Sequence, residues 1–484
     1  MPHDSVALTD LVENEILQRR ETGHDVGDIE RRFQTLRQAA DAAVSGTPGT
    51  PGTTGTAGTA GTAGSDADVS HQLDAMLDEL DALPAPTNWT YEEPTPWDDL
   101  VQTLALPAPS TARVPRGGDL HDKVLGGWLG RVAGNMLGKP VEWGDHWTPA
   151  HLRSYLEIAD AWPLDDYFPV ADPMPDGYEL RQCWVDTTRG NVHGSSRDDD
   201  VDYTILGLHL LEKHGNALTS DDVAQSWMLL LPLHQTYTAE RVAYRNLAIG
   251  LRPPATATHR NPYREWIGAQ IRGDAFGYVC PGDPAAAARL AYVDAAVSHV
   301  ANGIYGEMWA AALVAAAFTA DTPGEALEVS LSVVPPRSRL AEALRDVIDM
   351  HARGLDWDAA IAGIGERYGH YGWVHTINNA AVIAAGLLWG DGDFTRTIAL
   401  TVLGGLDTDS NGGTAGSAAG ILTGAAKIPP NWTDPLQDTL RSALFGFDGS
   451  RISDLADRTI KVADDLANAG APPSTTRPTA QPSA

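Results

Sequence analysis

Apolar residues recur at helical spacing through most of this 484-residue chain, and alternating strand patterns are nearly absent. Leu8, Leu11, Val12 and Ile16 predict a first helix, and Val26, Ile29, Phe33 and Leu36 a second. Val69, Leu73, Met76, Leu77 and Leu80 share one face of a third. From about Leu120 onward alanine, glycine and leucine dominate, and residues 285–318, 341–353, 376–388 and 412–426 read as buried helix. The pattern predicts an all-α protein, a compact multi-helix domain with a small helical N-terminal appendage. Expected boundaries are 1–45 for the N-terminal helical segment, 46–65 for a flexible linker and 66–118 for a helix with a Pro-rich connector. The main domain is expected over 119–464, with a disordered tail over 465–484. The linker, GTPGTPGTTGTAGTAGTAGS, carries no charge and no large apolar group to offset its ordering entropy. Such a tether predicts that residues 1–65 can be removed with the main domain intact.

Net charge changes the picture of partners. At −30 the chain is too acidic for nucleic acid or an anionic membrane to be its main partner. Its longest apolar stretch, near Trp309–Phe318, is about half of the roughly 20 residues a membrane span needs. Two cysteines make no disulfide framework, and the opening MPHDSVALTD lacks a signal-peptide pattern, so a cytoplasmic protein is expected. Residues 1–83 are expected to offer a surface to a protein partner.

Three segments carry candidate chemistry. In Ser195–Gly215, Asp198, Asp199 and Asp200 precede a helix whose apolar face is Ile205, Leu206, Leu208, Leu210 and Leu211. One Asp suffices to cap a helix; three in a row repel one another unless a cation sits among them. In Val402–Ala426, Asp407, Asp409 and Ser410 open a helix of small residues. The run resembles an EF-hand loop, but the twelfth position, which needs a bidentate Glu, is Ala418. Two oxygen-rich clusters suit a hard cation such as Mg²⁺, and neither offers the His or Cys ligands typical of zinc. The third segment, Asp122–Gly144, fails the phosphate-loop spacing. Its glycines recur three or four apart, as on a small-residue helix face, and Glu142 follows Pro140.

In this order, AGNMLGKPVE with Glu142, Asp198-Asp199-Asp200-Val201 and Gly404–Asn411 resemble the motifs of the ADP-ribosylglycohydrolase family, of the dinitrogenase-reductase-activating type. The resemblance covers about 119–450. Asn135 stands where the family has Asp, Asp198 where it has Thr, and Leu406 is inserted before Asp407. The resemblance implies an all-α fold around a centre of two Mg²⁺ ions, with Mn²⁺ as a substitute. It implies hydrolysis of the glycosidic bond at the anomeric carbon of an ADP-ribosyl or related ribosyl group, on a small molecule or a protein. It assigns Asp198, Asp199, Asp200, Asp407, Asp409 and Ser410 as metal ligands and Glu142 as general base. Asp274, Phe276, Gly277 and Tyr278 fall where the family's diphosphate loop lies, and His299 matches its hydroxyl–His pair, so these five are the expected substrate contacts. Asp274 replaces the loop's Asn and its Met-Arg is missing, which points toward a smaller N-riboside as the alternative substrate. Competing functions are a catalytically weak ADP-ribose-binding protein and a helical scaffold.

Overall fold

A computed structural model describes residues 6–45, 66–110 and 113–469. The linker 46–65 and residues 470–484 lie outside the described residues. Among the described residues the regular structure is helical but for one two-stranded antiparallel sheet, Thr439–Leu440 with Ser450–Arg451. No described helix is long and apolar enough to cross a membrane.

The centre of the fold is the crossing of Gly118–Gly138 with Thr408–Thr423. Gly126, Gly130, Gly134 and Gly138, one helical turn apart, face the backbone of Gly420, Gly416, Gly412 and Thr408 in turn. A Cβ at any of the four would overlap the facing carbonyl, so only glycine permits this approach. The helices run antiparallel, which brings the end of the first beside the start of the second. Thr408 Oγ1 donates to the Gly138 carbonyl at 2.9 Å and fastens that end. Thr376–Gly390 and Ala301–Ala317, buried along their whole length, pack around this pair.

Residues 285–318, expected as continuous helix, form two helices, Pro284–Ala295 and Ala301–Ala317. No proline or glycine forces the break. Ser298 Oγ accepts from Arg272 Nη1 at 3.1 Å, and the Val300 amide donates to the Arg264 carbonyl at 3.0 Å, which draws this turn off the helix axis. The last helix, Ile452–Ala469, continues five residues past the expected domain end at 464.

The helices Leu8–Glu21, Gly27–Ser45 and Asp66–Asp81 form a cluster with Leu11, Val12, Ile29, Phe33 and Leu77 buried inside it. The same cluster includes Ala239, Val242 and Tyr263 of the main domain. Buried polar contacts continue this interface. Arg264 grips Glu15 through two bonds of 2.6 and 3.0 Å, and Gln18 Nε2 donates to Glu265 at 2.9 Å. The described part of the N-terminal segment therefore docks on the main domain.

Candidate metal centre

Three helix ends meet at the acidic cluster. Asp199–His214 starts behind Asp198 with Asp199 and Asp200, Thr408–Thr423 starts behind Asp407, and Gly118–Gly138 ends in the turn Lys139–Val141. Asp198 occupies the N-cap position but makes no capping hydrogen bond. Its Oδ2 instead contacts Lys139 Nζ and accepts from Asn135 Nδ2 at 3.2 Å. The capping explanation thus fails for Asp198.

Carboxylate oxygens gather in two groups, Glu142–Asp407–Asp409 and Asp198–Asp200–Asp409, each with its oxygens within 4.8 Å of one another. Asp409 belongs to both. Glu142, distant from the aspartates in sequence, is brought into the first group by the turn after Gly138. Ser410 Oγ donates to Asp200 Oδ2 at 3.2 Å and so joins the second. Asp199 is half-buried and belongs to neither group. Asp200 Oδ1 and Asp409 Oδ1 are buried and accept no hydrogen bond.

The electrostatics follow from this crowding. Burial, then Asp409, pushes the Glu142 carboxyl well above its ordinary range. Burial and Asp409 do the same to Asp200 and Asp407, and burial and Asp198 to Asp199. Asp198 alone goes the other way: burial opposes its ionisation, but Lys139 beside it holds it low. Arg181 pairs with Glu142 Oε1 at 2.8 Å and also holds the Glu142 carbonyl. Beneath the cluster, fully buried Arg131 lies 3.5 Å from Asp200 and 3.0 Å from Asp274. Orphaned, oxygen-only donors in a buried setting fit a hard divalent cation.

The expected substrate contacts do not gather here. Asp274 is fully buried as the partner of Arg131. Phe276 and Tyr278 are core residues with no exposed ring face; Tyr278 packs on Trp128 at 5.5 Å and its hydroxyl bonds Ser417. Gly277 is pressed against the backbone of Ala311 and the side chain of Val314. These burials leave no face on which a base could stack. His299 is buried, with Nδ1 2.8 Å from Ser298 Oγ and Nε2 4.0 Å from Glu240. It belongs to a network around Arg272 that includes Glu240, Asp294 and Glu307.

Sequence reasoning missed Lys139, Arg131 and Arg181. A signal existed for Arg131, a lone charge in the small-residue run Gly126–Gly138 that must meet buried carboxylates. Lys139 lies between Gly138 and Pro140 in a motif read only for its glycines. Arg181 sits outside every patterned segment and gave no signal. Two exposed rings also flank the cluster: Trp143, next to Glu142, and Tyr237, whose phenol is pushed up by burial and then by Asp199.

Among known proteins, the family model described as ADP-ribosylglycohydrolase matches residues 116–470. A solved structure titled "ADP-ribosylglycohydrolase-related protein complex" is 18% identical, with a TM-score of 0.42, covering 72% of this chain and 99% of its own. No curated protein matches the chain.

Proposed function

This chain belongs to the ADP-ribosylglycohydrolase family, and on that premise we propose that it is a divalent-metal-dependent hydrolase of the glycosidic bond at the anomeric carbon of an ADP-ribosyl or related ribosyl group. The observation that carries the reading is the convergence of Glu142, Asp200 and the Asp407–Asp409 pair from three separate segments, with the buried Asp409 Oδ1 accepting no hydrogen bond. Residues meeting by folding alone, at a desolvation cost of several kcal/mol per ion, suit a cation site better than a structural ion pair. Gly404–Asn411 supports the dinitrogenase-reductase-activating type.

Asp407 and Asp409 would hold Mg²⁺ or Mn²⁺, with Asp200 and Ser410 in the adjoining group and Asp199 as an outer partner. Bound there, the ion supplies a fixed positive charge that orients ribose hydroxyls and a water. Cleavage builds positive charge at the anomeric carbon, which the carboxylates stabilise. Glu142 acts as general base toward the attacking water. Arg181 holds its carboxylate in place, and a cation near Asp409 favours the ionised form that a base needs. Trp143 and Tyr237 offer the ring faces that Phe276 and Tyr278 lack. Free Cys183 and Cys280 accord with a reducing, cytoplasmic setting.

Incubation with ADP-ribosyl-arginine, O-acetyl-ADP-ribose and simple nucleosides, with and without EDTA, tests the activity. EDTA-sensitive release of ribose product is expected. Glu142→Gln should lower turnover about a hundred- to ten-thousandfold while ADP-ribose still binds. Wild-type rates in Glu142→Gln remove it from the mechanism, and binding without turnover in the wild type leaves a binding protein.

A further inference from the structure

Lys139 ties together three positions that the sequence had marked separately. Its ammonium contacts Asp198 Oδ2, the oxygen that also accepts from Asn135 Nδ2 at 3.2 Å. Asp198 and Asn135 are two places where the chain departs from the motifs it resembles: an acid has appeared at 198 and one has gone from 135. Both departures meet at one oxygen, and a lysine faces it.

The lysine is built in. It follows Gly138, whose backbone is pressed on Thr408, and precedes Pro140, whose ring fixes φ. Its carbonyl lies 3.5 Å from Cys183 Sγ, and its side chain is 13% exposed. The ammonium's contact is with Asp198, a member of the Asp198–Asp200–Asp409 group.

Resting on the metal reading above, we propose that Lys139 is the resident cation of the Asp198–Asp200–Asp409 group, so that the centre takes a single divalent ion, on the Glu142–Asp407–Asp409 side. A second ion at Asp198 would sit against the ammonium already on its Oδ2, and like charges repel at this range. Asp198 then serves as the counterion of Lys139, and the tethered charge does the work of a second metal. Of the two buried carboxylate oxygens that accept no hydrogen bond, Asp200 Oδ1 faces Arg131 at 3.5 Å, which leaves Asp409 Oδ1, where the groups join, for the one ion.

The test counts ions on the full-length, chelator-treated protein. Titration with Mn²⁺, followed calorimetrically and by electron paramagnetic resonance, should give one ion per chain and the six-line spectrum of an isolated centre. Lys139→Met keeps the stem and removes the charge; it should bind two ions and show a spin-coupled spectrum. Asp198→Asn should still bind one ion, with affinity within about threefold of wild type, and decides the matter if Lys139→Met fails to fold. Two ions in the wild type, one in a folded Lys139→Met, or a tenfold or larger loss of affinity in Asp198→Asn overturns the proposal. No ion at all in the wild type instead sinks the metal reading on which it rests.

Discussion

Gly134→Ala separates the role of the central helix crossing from that of helix propensity. Taken alone, alanine for glycine inside a helix is stabilising by about 0.5–1 kcal/mol. At Gly134 the new Cβ would fall on the Gly412 carbonyl, which is backbone and cannot rotate aside. Over-packing of this kind costs about 1–3 kcal/mol, and a rigid neighbour puts it near 3, so a net loss of about 2 kcal/mol is expected. Gly365 lies inside Trp357–Tyr368 with no atom within 4 Å of the added Cβ. Gly365→Ala should therefore stabilise by about 0.5–1 kcal/mol. The same chemical change thus acts with opposite sign at two helical sites. Guanidinium denaturation of both variants measures this, and calorimetric Mg²⁺ titration reads the second consequence. Parting the helices moves Glu142 from Asp407 and Asp409, and displaced supports typically cost about ten- to a hundredfold in metal affinity. A Gly134→Ala protein with wild-type stability and wild-type metal affinity would refute the claim that this crossing builds the site.

Metal should raise the melting temperature, because an ion that binds only the folded state adds about 2.7 kcal/mol at a hundredfold excess over its Kd; a scan unchanged by EDTA with no metal in elemental analysis contradicts the cation site. Glu21 is buried against Gly372, Glu265 and His375, and burial lifts its carboxyl to about 7. A raised folded-state value makes its contribution fully present below about 4.5 and lost as pH rises to about 7, a fall of about 3 kcal/mol. Glu21→Gln should flatten that slope in denaturation measured between pH 5 and 8, and an unaltered slope refutes the assignment. Deleting residues 1–65 strips Glu15 from Arg264 and Gln18 from Glu265. Removing one partner of a buried pair costs about 3–5 kcal/mol, so the truncated protein should melt lower or precipitate, and an unshifted melting transition contradicts the docking.

The helices were legible because their apolar residues repeat at helical spacing, and the small-residue faces of 122–144 and 412–426 carried the closest contact of the fold. The acidic positions were legible because clustered aspartates have few neutral explanations. What escaped was contact between segments distant in sequence. Nothing local distinguishes the break at Ser298–Val300, since it is imposed by Arg264 and Arg272. Phe276 and Tyr278 look the same in sequence whether they line a pocket or fill a core. The docking of the first helices depends on Glu15, Gln18 and Glu21, polar residues that read as solvent-facing until Arg264, Glu265 and His375 are placed against them.

The charges of the site are also placed in a way that suits the proposed cation. Asp198 and Asp407 stand at helix N-termini, and Lys139 stands at a helix C-terminus, so each charge sits at the dipole end that favours it. Each such placement contributes about 0.3–1 kcal/mol, rising to about 2 in a partly buried geometry. Burying an ionised carboxylate costs several kcal/mol, and this cluster buries or half-buries six. Helix ends alone leave most of that cost standing. Lys139 and Arg181 offset it at Asp198 and Glu142, the two acids they touch. Asp407 and Asp409 touch neither, and burial pushes both carboxyls above their ordinary range. The divalent ion proposed at their shared edge would favour the ionised form of both, which would tie the charge state of the site to its loading.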